Sequence, residues 1–363
     1  MQAQVLRRAG VPLGHLATTS GAVGGGRALA TPASSPHRFG VAFDIDGVLY
    51  RGANVIPKAP LVLEKLTEQK VPWVLVTNGG GITEEKKAQV LSTKLGVPID
   101  PARIIQSHTP MKDLVAKYRD TFVLVVGSAE AKSIAKQYGF RNIVTTGEVH
   151  ATFPTIYGDK KPHESDMIPD TSIFKQRIEA VVTFMDPLDY HRDLQIVYDV
   201  ICGHGMLTGE ESQHIPEWGE DSHLPLFFSG PDFLFVNEWH RPRFGSGLYP
   251  LLLKKLYQEA TGGSLEVMEF GKPHPVTYRY AFDVLNRRAK ESGVEQLDRI
   301  YMVGDNPHSD ILGANQAGPQ WRSVLVRTGV FNDPSLTNHP DIPADIVVPN
   351  VWEAYQTIMA ENQ

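Results

Sequence analysis

From Gly40 to Ile45 the chain reads GVAFDI, an apolar run that closes on Asp44 and is followed at once by Asp46. A strand with one wet face alternates apolar and polar side chains. An unbroken apolar run belongs to a strand buried on both faces, which is the condition of a parallel sheet. The run therefore predicts a central strand over 40–45. KAPLVLEKLTEQ (58–69) follows, with Leu61, Leu63 and Leu66 at helical spacing, and then VPWVLVTN (71–78), a second apolar run that ends on polar residues. Strand, helix and strand within about 35 residues form a βαβ unit.

ITEEKKAQVLSTKLG continues as an amphipathic helix with Gly96 as its stop signal. Far downstream the alternation resumes. VTYRYAFDVLNRRAKES is a helix, RIYMVGDN a strand, DILGANQAG a short helix, RSVLVRTGV and ADIVVP strands, and a last helix starts at Trp352. Together these predict an open, mostly parallel α/β sheet, which binds ligands at the carboxyl ends of its strands. Roughly 150 residues separate the two blocks, far more than the dozen or so that a crossover needs. Within them FVLVVG, a helix at 129–138, NIVTT, EAVVTFMDP, a helix at 191–202 and LPLFFSG predict a second α/β domain at 107–262. The first domain is then split into 38–106 and 263–363. The polar stretch 157–172 reads as a long loop.

The first 37 residues are set apart by composition. From Met1 to Phe43 there is no Asp, Glu or Lys, while Arg7, Arg8, Arg27 and Arg38 sit among Ala, Ser, Thr and Gly. That is the composition of a mitochondrial transit peptide, and it places the protein in mitochondria, the matrix foremost. A net charge of -6 argues against nucleic acid as a partner, since phosphate-backbone affinity needs clustered Lys and Arg. No stretch reaches the 18 or so apolar residues of a transmembrane segment. The one cysteine, Cys202, excludes an intramolecular disulfide and reads as a buried, inert thiol. The histidines show no metal-ligand spacing.

Four short segments end or follow apolar strands: DID (44–46), TN (77–78), GK (271–272) and GDNPHSD (304–310). At the carboxyl edge of one parallel sheet they would converge on one crevice. If strand geometry holds through Asp44 and Asp46, their side chains leave on the same side and repel, which raises one pKa unless a cation intervenes. Asp305 and Asp310 add two more carboxylates. Oxygen ligands without His or Cys favour Mg²⁺, which usually keeps waters and binds substrate phosphate. Thr77 and Asn78, with backbone N–H groups such as that of Gly79, supply donors to a phosphate; Lys272 supplies a compact positive charge. The expected chemistry is phosphoryl transfer. Asp44, the deeper acid, is the expected nucleophile. Asp46 is the expected acid and base, and Lys272 keeps Asp44 ionised. In the second domain Asp186, Asp232 and Arg243, in turns or after strands, are candidate substrate contacts.

DxDGV, then TN, then Lys, then GDxxxxD, in this order, resembles the haloacid dehalogenase (HAD) superfamily, in the subfamily (IIA) whose cap is inserted between the second and third motifs. DIDGVLYRG, VTNGGG, SHTPMK, RFGSG, FGKP and GDNPHSDILGAN resemble the mitochondrial branch of cat eye syndrome critical region type proteins. The resemblance implies a Rossmann-like parallel-sheet core, an inserted α/β cap of the C2 type, Mg²⁺ held by Asp44, Asp46, Asp305 and Asp310, and an aspartyl-phosphate mechanism. It also implies that Asp46 gives the metal its backbone carbonyl and keeps its carboxylate for proton transfer. TNGGG stands where many cap-bearing relatives have TNN, and its glycines would open space or N–H groups near the phosphate. The expected activity is a Mg²⁺-dependent phosphatase acting on a small phosphorylated metabolite. The alternatives are a phosphatase step on a lipid or glycerol phosphate in glycerophospholipid synthesis, and a non-catalytic binding protein of the same fold. The oligomeric state is left open, a homodimer included.

Overall fold

A computed structural model describes residues 37–127, 129–158, 161, 175–207, 224–235 and 239–363. The transit-peptide reading and most of the 157–172 loop lie outside the described residues. Two parallel sheets organise the rest. In the first, the strands lie in the order Ile346–Val348, Trp321–Val326, Arg299–Gly304, Phe39–Phe43, Trp73–Val76 and Ile104–Ile105. Phe39–Phe43 is central, as its apolar run requires, and all five of its residues are buried. Alternate residues feed opposite layers. Val41, Phe43, Trp73, Leu75, Tyr301 and Val303 face one, against the helices Ala59–Glu68 and Val351–Glu361. Ala42, Val74, Val76, Ile300 and Met302 face the other, against Pro275–Glu291. In the first helix the buried positions are Ala59, Val62, Leu63 and Leu66; Leu61, counted with the apolar face from spacing, points outward.

The predicted helix ends follow local chemistry. Thr83 caps Glu84–Leu95 by accepting the N–H of Lys86, and Gly96, at φ 70, stops it in the left-handed region.

The second sheet has the order Met268–Phe270, Leu226–Ser229, Ala180–Thr183, Phe122–Val125 and Asn142–Thr145, again all parallel. Its core holds Leu124, Val181, Phe228, Ile196, Val197 and Tyr249. The strand that precedes GK therefore belongs to this sheet as its edge, beyond the 107–262 segment expected from sequence. One sheet does not carry all four motifs: three end on the first sheet and the lysine arrives from the second. Gly271 makes the passage at φ 119, and a Cβ there would come within 2.4 Å of Pro231 and 2.9 Å of Asn78 Oδ1. Cys202 ends the helix Tyr190–Cys202 and is only half-buried; burial pushes its thiol up.

A buried polar cluster joins the two layers where the chain first leaves the core. Tyr138, on the second domain's helix Ala129–Tyr138, donates to Glu84 Oε1 on the core helix (2.8 Å). Thr109 donates to the same oxygen (2.8 Å), and Lys112 pairs with it at 2.9 Å. Because the Tyr138 proton goes to Glu84, His108 Nδ1, 2.6 Å from the Tyr138 oxygen, carries the proton of that bond. Burial pushes His108 down to about 4, the attraction of Glu84 being partly cancelled by Lys112. His108 is thus neutral in the fold, while the unfolded chain protonates it near pH 6.5. Its contribution to stability is complete above about pH 6.5 and is lost as pH falls toward 4, with a slope of up to about 1.4 kcal/mol per pH unit. Other buried groups add their own slopes, so the test is the difference: between about pH 4 and 6.5 the rise of urea-unfolding stability with pH should be smaller in His108→Asn than in wild type. An identical slope in the variant would contradict the assignment.

Candidate active site

Asp44 still lies in register with the neighbouring strand, donating its N–H to Val303 O at 2.8 Å. The chain then turns sharply. The N–H groups of Leu49 and Tyr50 come back to Ile45 O at 2.9 and 3.4 Å, with Gly47 at φ 86. Strand geometry therefore does not hold through Asp46. Asp44 is buried (8 % exposed), whereas Asp46 is exposed on the turn, where Tyr50 hydrogen-bonds it. The two aspartates differ in depth, and the common side that continued strand geometry would give them is not found.

Lys272, 2 % exposed, bridges two acids: its Nζ lies 2.5 Å from Asp44 Oδ1 and 2.6 Å from Asp310 Oδ1. The other oxygen of Asp310 accepts the N–H groups of Asp305 and Asn306 at 3.1 and 3.0 Å, closing the GDNPHSD loop on itself. Asp305 Oδ2 accepts the Val330 N–H at 2.5 Å. Its carboxylate is fenced by Gly47 and Gly329, where a Cβ would come within 2.4 and 1.8 Å of that oxygen. Sequence reading missed Gly329 and Val330; an RTGV segment at a strand end, matching the place of the other motifs, was the available signal. Ligand oxygens of Asp44, Asp305 and Asp310 all lie within 4.8 Å of one another.

The electrostatics show a charge imbalance. Burial raises Asp44 above the usual carboxylate range, against Lys272; Asp46 adds a lesser push. Asp305 is raised well above it by burial, then by Asp44 and Asp310. Asp310 is pushed up to about 6 by burial, opposed by Lys272. Lys272 is held above its ordinary value because the two carboxylates outweigh its own burial. Three buried acids around one ammonium cannot all ionise without more positive charge. An all-oxygen donor set with a deficit of positive charge fits a hard divalent cation. Asp46 brings no carboxylate to this group.

Thr77 is buried, and its hydroxyl accepts the Gly79 N–H at 3.1 Å, which leaves its own proton to donate. Asn78 differs from its expected role. Its Oδ1 accepts the Lys272 N–H (2.6 Å), and its Nδ2 donates to Lys272 O (2.8 Å) and to Asp232 Oδ1 (2.9 Å). Its side-chain amide clamps the lysine's peptide and is occupied there, so it is not free for a phosphate. The glycines of TNGGG do not all open space. A Cβ on Gly80 would come within 2.8 Å of His108 and 3.0 Å of Phe184 O, so Gly80 admits the second domain's backbone; Gly79 alone of the three meets only Thr77 Oγ1.

Of the second-domain candidates, Asp232 is brought to the crevice through Asn78, with burial raising its carboxyl. Asp186 is exposed and accepts the Tyr190 hydroxyl at 2.5 Å. Arg243 is exposed on a two-stranded ribbon. Neither is joined to the acidic group by a described bond.

A doubly wound parallel sheet with buried carboxylates at its strand ends, met there by Lys272 from a second parallel sheet, is the arrangement of a class of α/β hydrolases. Family models agree: a haloacid dehalogenase-like hydrolase model matches residues 41–141 and a HAD-hydrolase-like model matches 269–354. The chain is 37% identical over 318 residues to a mitochondrial hydrolase of Saccharomyces cerevisiae, covering 80% of this chain and 88% of that protein. It belongs to the haloacid dehalogenase-like hydrolases. It is also 36% identical over 325 residues to a cardiolipin synthase (CMP-forming)/mitochondrial hydrolase fusion protein of Schizosaccharomyces pombe; the match covers 88% of this chain and 53% of the fusion. Among solved structures, a glycerol phosphate phosphatase of Mycobacterium tuberculosis in complex with magnesium shares the fold, with TM-score 0.59 and 19% identity over 88% of this chain and 77% of that one.

Removing the bridging ammonium should strand its two acids. In chelator-treated protein at pH 8, Lys272→Met should lose about 3–5 kcal/mol of stability by urea unfolding. Adding Asp310→Asn should restore part of it. A single variant as stable as wild type would show that the pair is not buried as described.

Proposed function

We propose that the protein is a Mg²⁺-dependent phosphatase that hydrolyses a small phosphorylated metabolite through an aspartyl phosphate, in the mitochondrial matrix. The observation that carries this reading is the buried Lys272 bridge between Asp44 and Asp310, beside Asp305, with the Lys272 peptide held by Asn78, the residue after Thr77. Magnesium, held by Asp44, Asp305 and Asp310 with the Asp46 carbonyl, would supply charge neutralisation for the phosphoryl oxygens.

The chain's own groups do the rest. An Asp44 carboxylate oxygen attacks phosphorus and the bond from phosphorus to the leaving oxygen breaks, giving an acyl phosphate on Asp44. Asp46, exposed on its turn, gives its proton to the leaving oxygen. The same carboxylate then takes a proton from water, whose oxygen attacks phosphorus and frees Asp44 and inorganic phosphate. Thr77 donates to a phosphoryl oxygen, and Lys272 keeps Asp44 ionised while offsetting charge on the phosphoryl group. Asn78 serves by fixing Lys272 rather than by touching the phosphate. The mitochondrial address rests on the acid-free leader composition and on the two yeast relatives named as mitochondrial hydrolases.

A second reading, a phosphatase step in glycerophospholipid synthesis, is favoured by one observation: the fission yeast relative is fused to a cardiolipin synthase. Among the described residues no helix is long and apolar enough to cross a membrane. Comparing mitochondrial lipid profiles with and without the protein separates the two, since an unchanged profile counts against a lipid role.

The leading reading is tested on the chain lacking residues 1–36 with a panel of phosphate esters in Mg²⁺. Wild type should hydrolyse at least one ester, Asp44→Asn should lose about 10³-fold or more in kcat, and Asp46→Asn about 10²–10⁴-fold. Beryllium fluoride should be trapped on Asp44. No hydrolysis across the panel, together with no trapping, would turn the reading to a binding protein.

A further inference from the structure

After its third inner strand, Leu226–Ser229, the second domain sends out a short antiparallel ribbon in which Leu234 faces Phe244 and Phe235 faces Arg243. In a ribbon, neighbouring residues point to opposite faces. Leu234 and Phe244 therefore share one face while Phe235 lies on the other. All three are roughly half exposed, at 50, 57 and 46%, and Phe233 and Trp239 are exposed beside them. Phe233 and Phe244 stack edge to face with centroids 5.5 Å apart, and the Trp239 ring lies against His240. The ribbon thus carries Leu234 and Phe244 on one face and Phe235 beside Arg243 on the other, and both faces are uncovered among the described residues. Such a contiguous patch marks an interaction surface.

The charges beside it indicate what covers it. His240, Arg241 and Arg243 are exposed at the same end, and the sequence from Leu234 to Phe244 contains one acid, Glu238, against two arginines. This is a local excess of positive charge on a chain of net charge -6. A protein groove covers one face of a ribbon. A lipid interface covers both without matching shape, takes Trp and Phe at the headgroup level, and pairs Arg with anionic headgroups. The root is fixed: Gly245 N–H donates to Phe233 O at 2.9 Å, Gly247 N–H donates to Asp232 O at 3.1 Å, and Asp232 is held by Asn78 next to Lys272.

We propose that the ribbon formed by Leu234–Phe235 and Arg243–Phe244, with Trp239 and Arg241, docks the protein peripherally on an anionic lipid surface, bringing that surface to the rim of the Asp232–Asn78–Lys272 crevice. The proposal stands whether or not the site is a phosphatase, because docking is read without catalysis.

The test is co-sedimentation of the full chain with phosphatidylcholine vesicles containing either none or about 30 mol% phosphatidylglycerol, at low and high salt. Wild type should bind the anionic vesicles at least ~10-fold more tightly than the neutral ones, and more weakly at high salt. F235S/W239S/F244S should lose about 10-fold or more on the anionic vesicles, and R241E/R243E should lose the anionic preference. Thermal unfolding serves as the fold control, and both variants should melt with wild type because the replaced side chains are exposed. Three outcomes overturn the proposal. Wild type does not bind anionic vesicles; both variants bind as wild type does, which assigns binding elsewhere, such as the arginine-bearing first 36 residues; or the triple variant loses only a self-association seen by light scattering without lipid, which makes the ribbon a contact between copies.

Discussion

The structure depends on one ammonium group shared by two carboxylates. Lys272 is delivered from the edge of the second sheet into the crevice of the first, where it meets Asp44 and Asp310 at 2.5 and 2.6 Å. Burying such a cluster costs several kcal/mol per ion, and replacing all of its members together by apolar residues of the same volume is often no less stable. The bridge is therefore not explained by folding alone. Among the described residues Asp305 pairs with no cation of its own, in a pocket so tight that Gly47 and Gly329 can carry no side chain. The acids and the lysine together constitute a site that wants one more cation, and that need ties the fold to its chemistry.

Holding the lysine in place takes both domains. Asn78, at the end of a core strand, pairs with both the N–H and the carbonyl of Lys272 and reaches Asp232 of the second domain with its remaining proton. One side chain thus does the work of a strand neighbour across a gap between two sheets. At the first crossing, where the chain leaves the core, Glu84, Thr109, Lys112, Tyr138 and His108 form a second tie. Both crossings are stitched by buried polar groups, which are costly to leave unpaired and so favour one mutual arrangement of the domains.

Local signals carried far. The helix at 129–138, the strands ending at Phe43 and Val76, and the stop at Gly96 follow from apolar periodicity, strand-like runs and a left-handed glycine, all read within a dozen residues. The order of the four motifs was enough to suggest the family. What local reading misjudged has a common cause. From sequence GK belongs with the other motifs at one sheet edge; only the pairing of Met268–Phe270 with Phe227–Ser229 assigns it to the second sheet. From sequence Asn78 reads as a phosphate donor, because its amide can bond anything within reach and its partner lies 194 residues away. Strand periodicity puts Asp46 on the side of Asp44, but the strand ends at Phe43 and the chain turns at Gly47.

The sequence by itself determined the alternation of buried strands and amphipathic helices, the parallel character of the sheets, and which residue types reach the strand ends. These are properties of side-chain periodicity and need no distant partner. The tertiary structure alone decided which sheet supplies the lysine, which amide is spent on holding it, which aspartate stays in water, and that, among the described residues, an aromatic ribbon is left uncovered beside the crevice. Each of these depends on how the chain turns and on which segments, from about 40 to 194 residues apart, it brings together, and on how burial then sets the charge each group can bear.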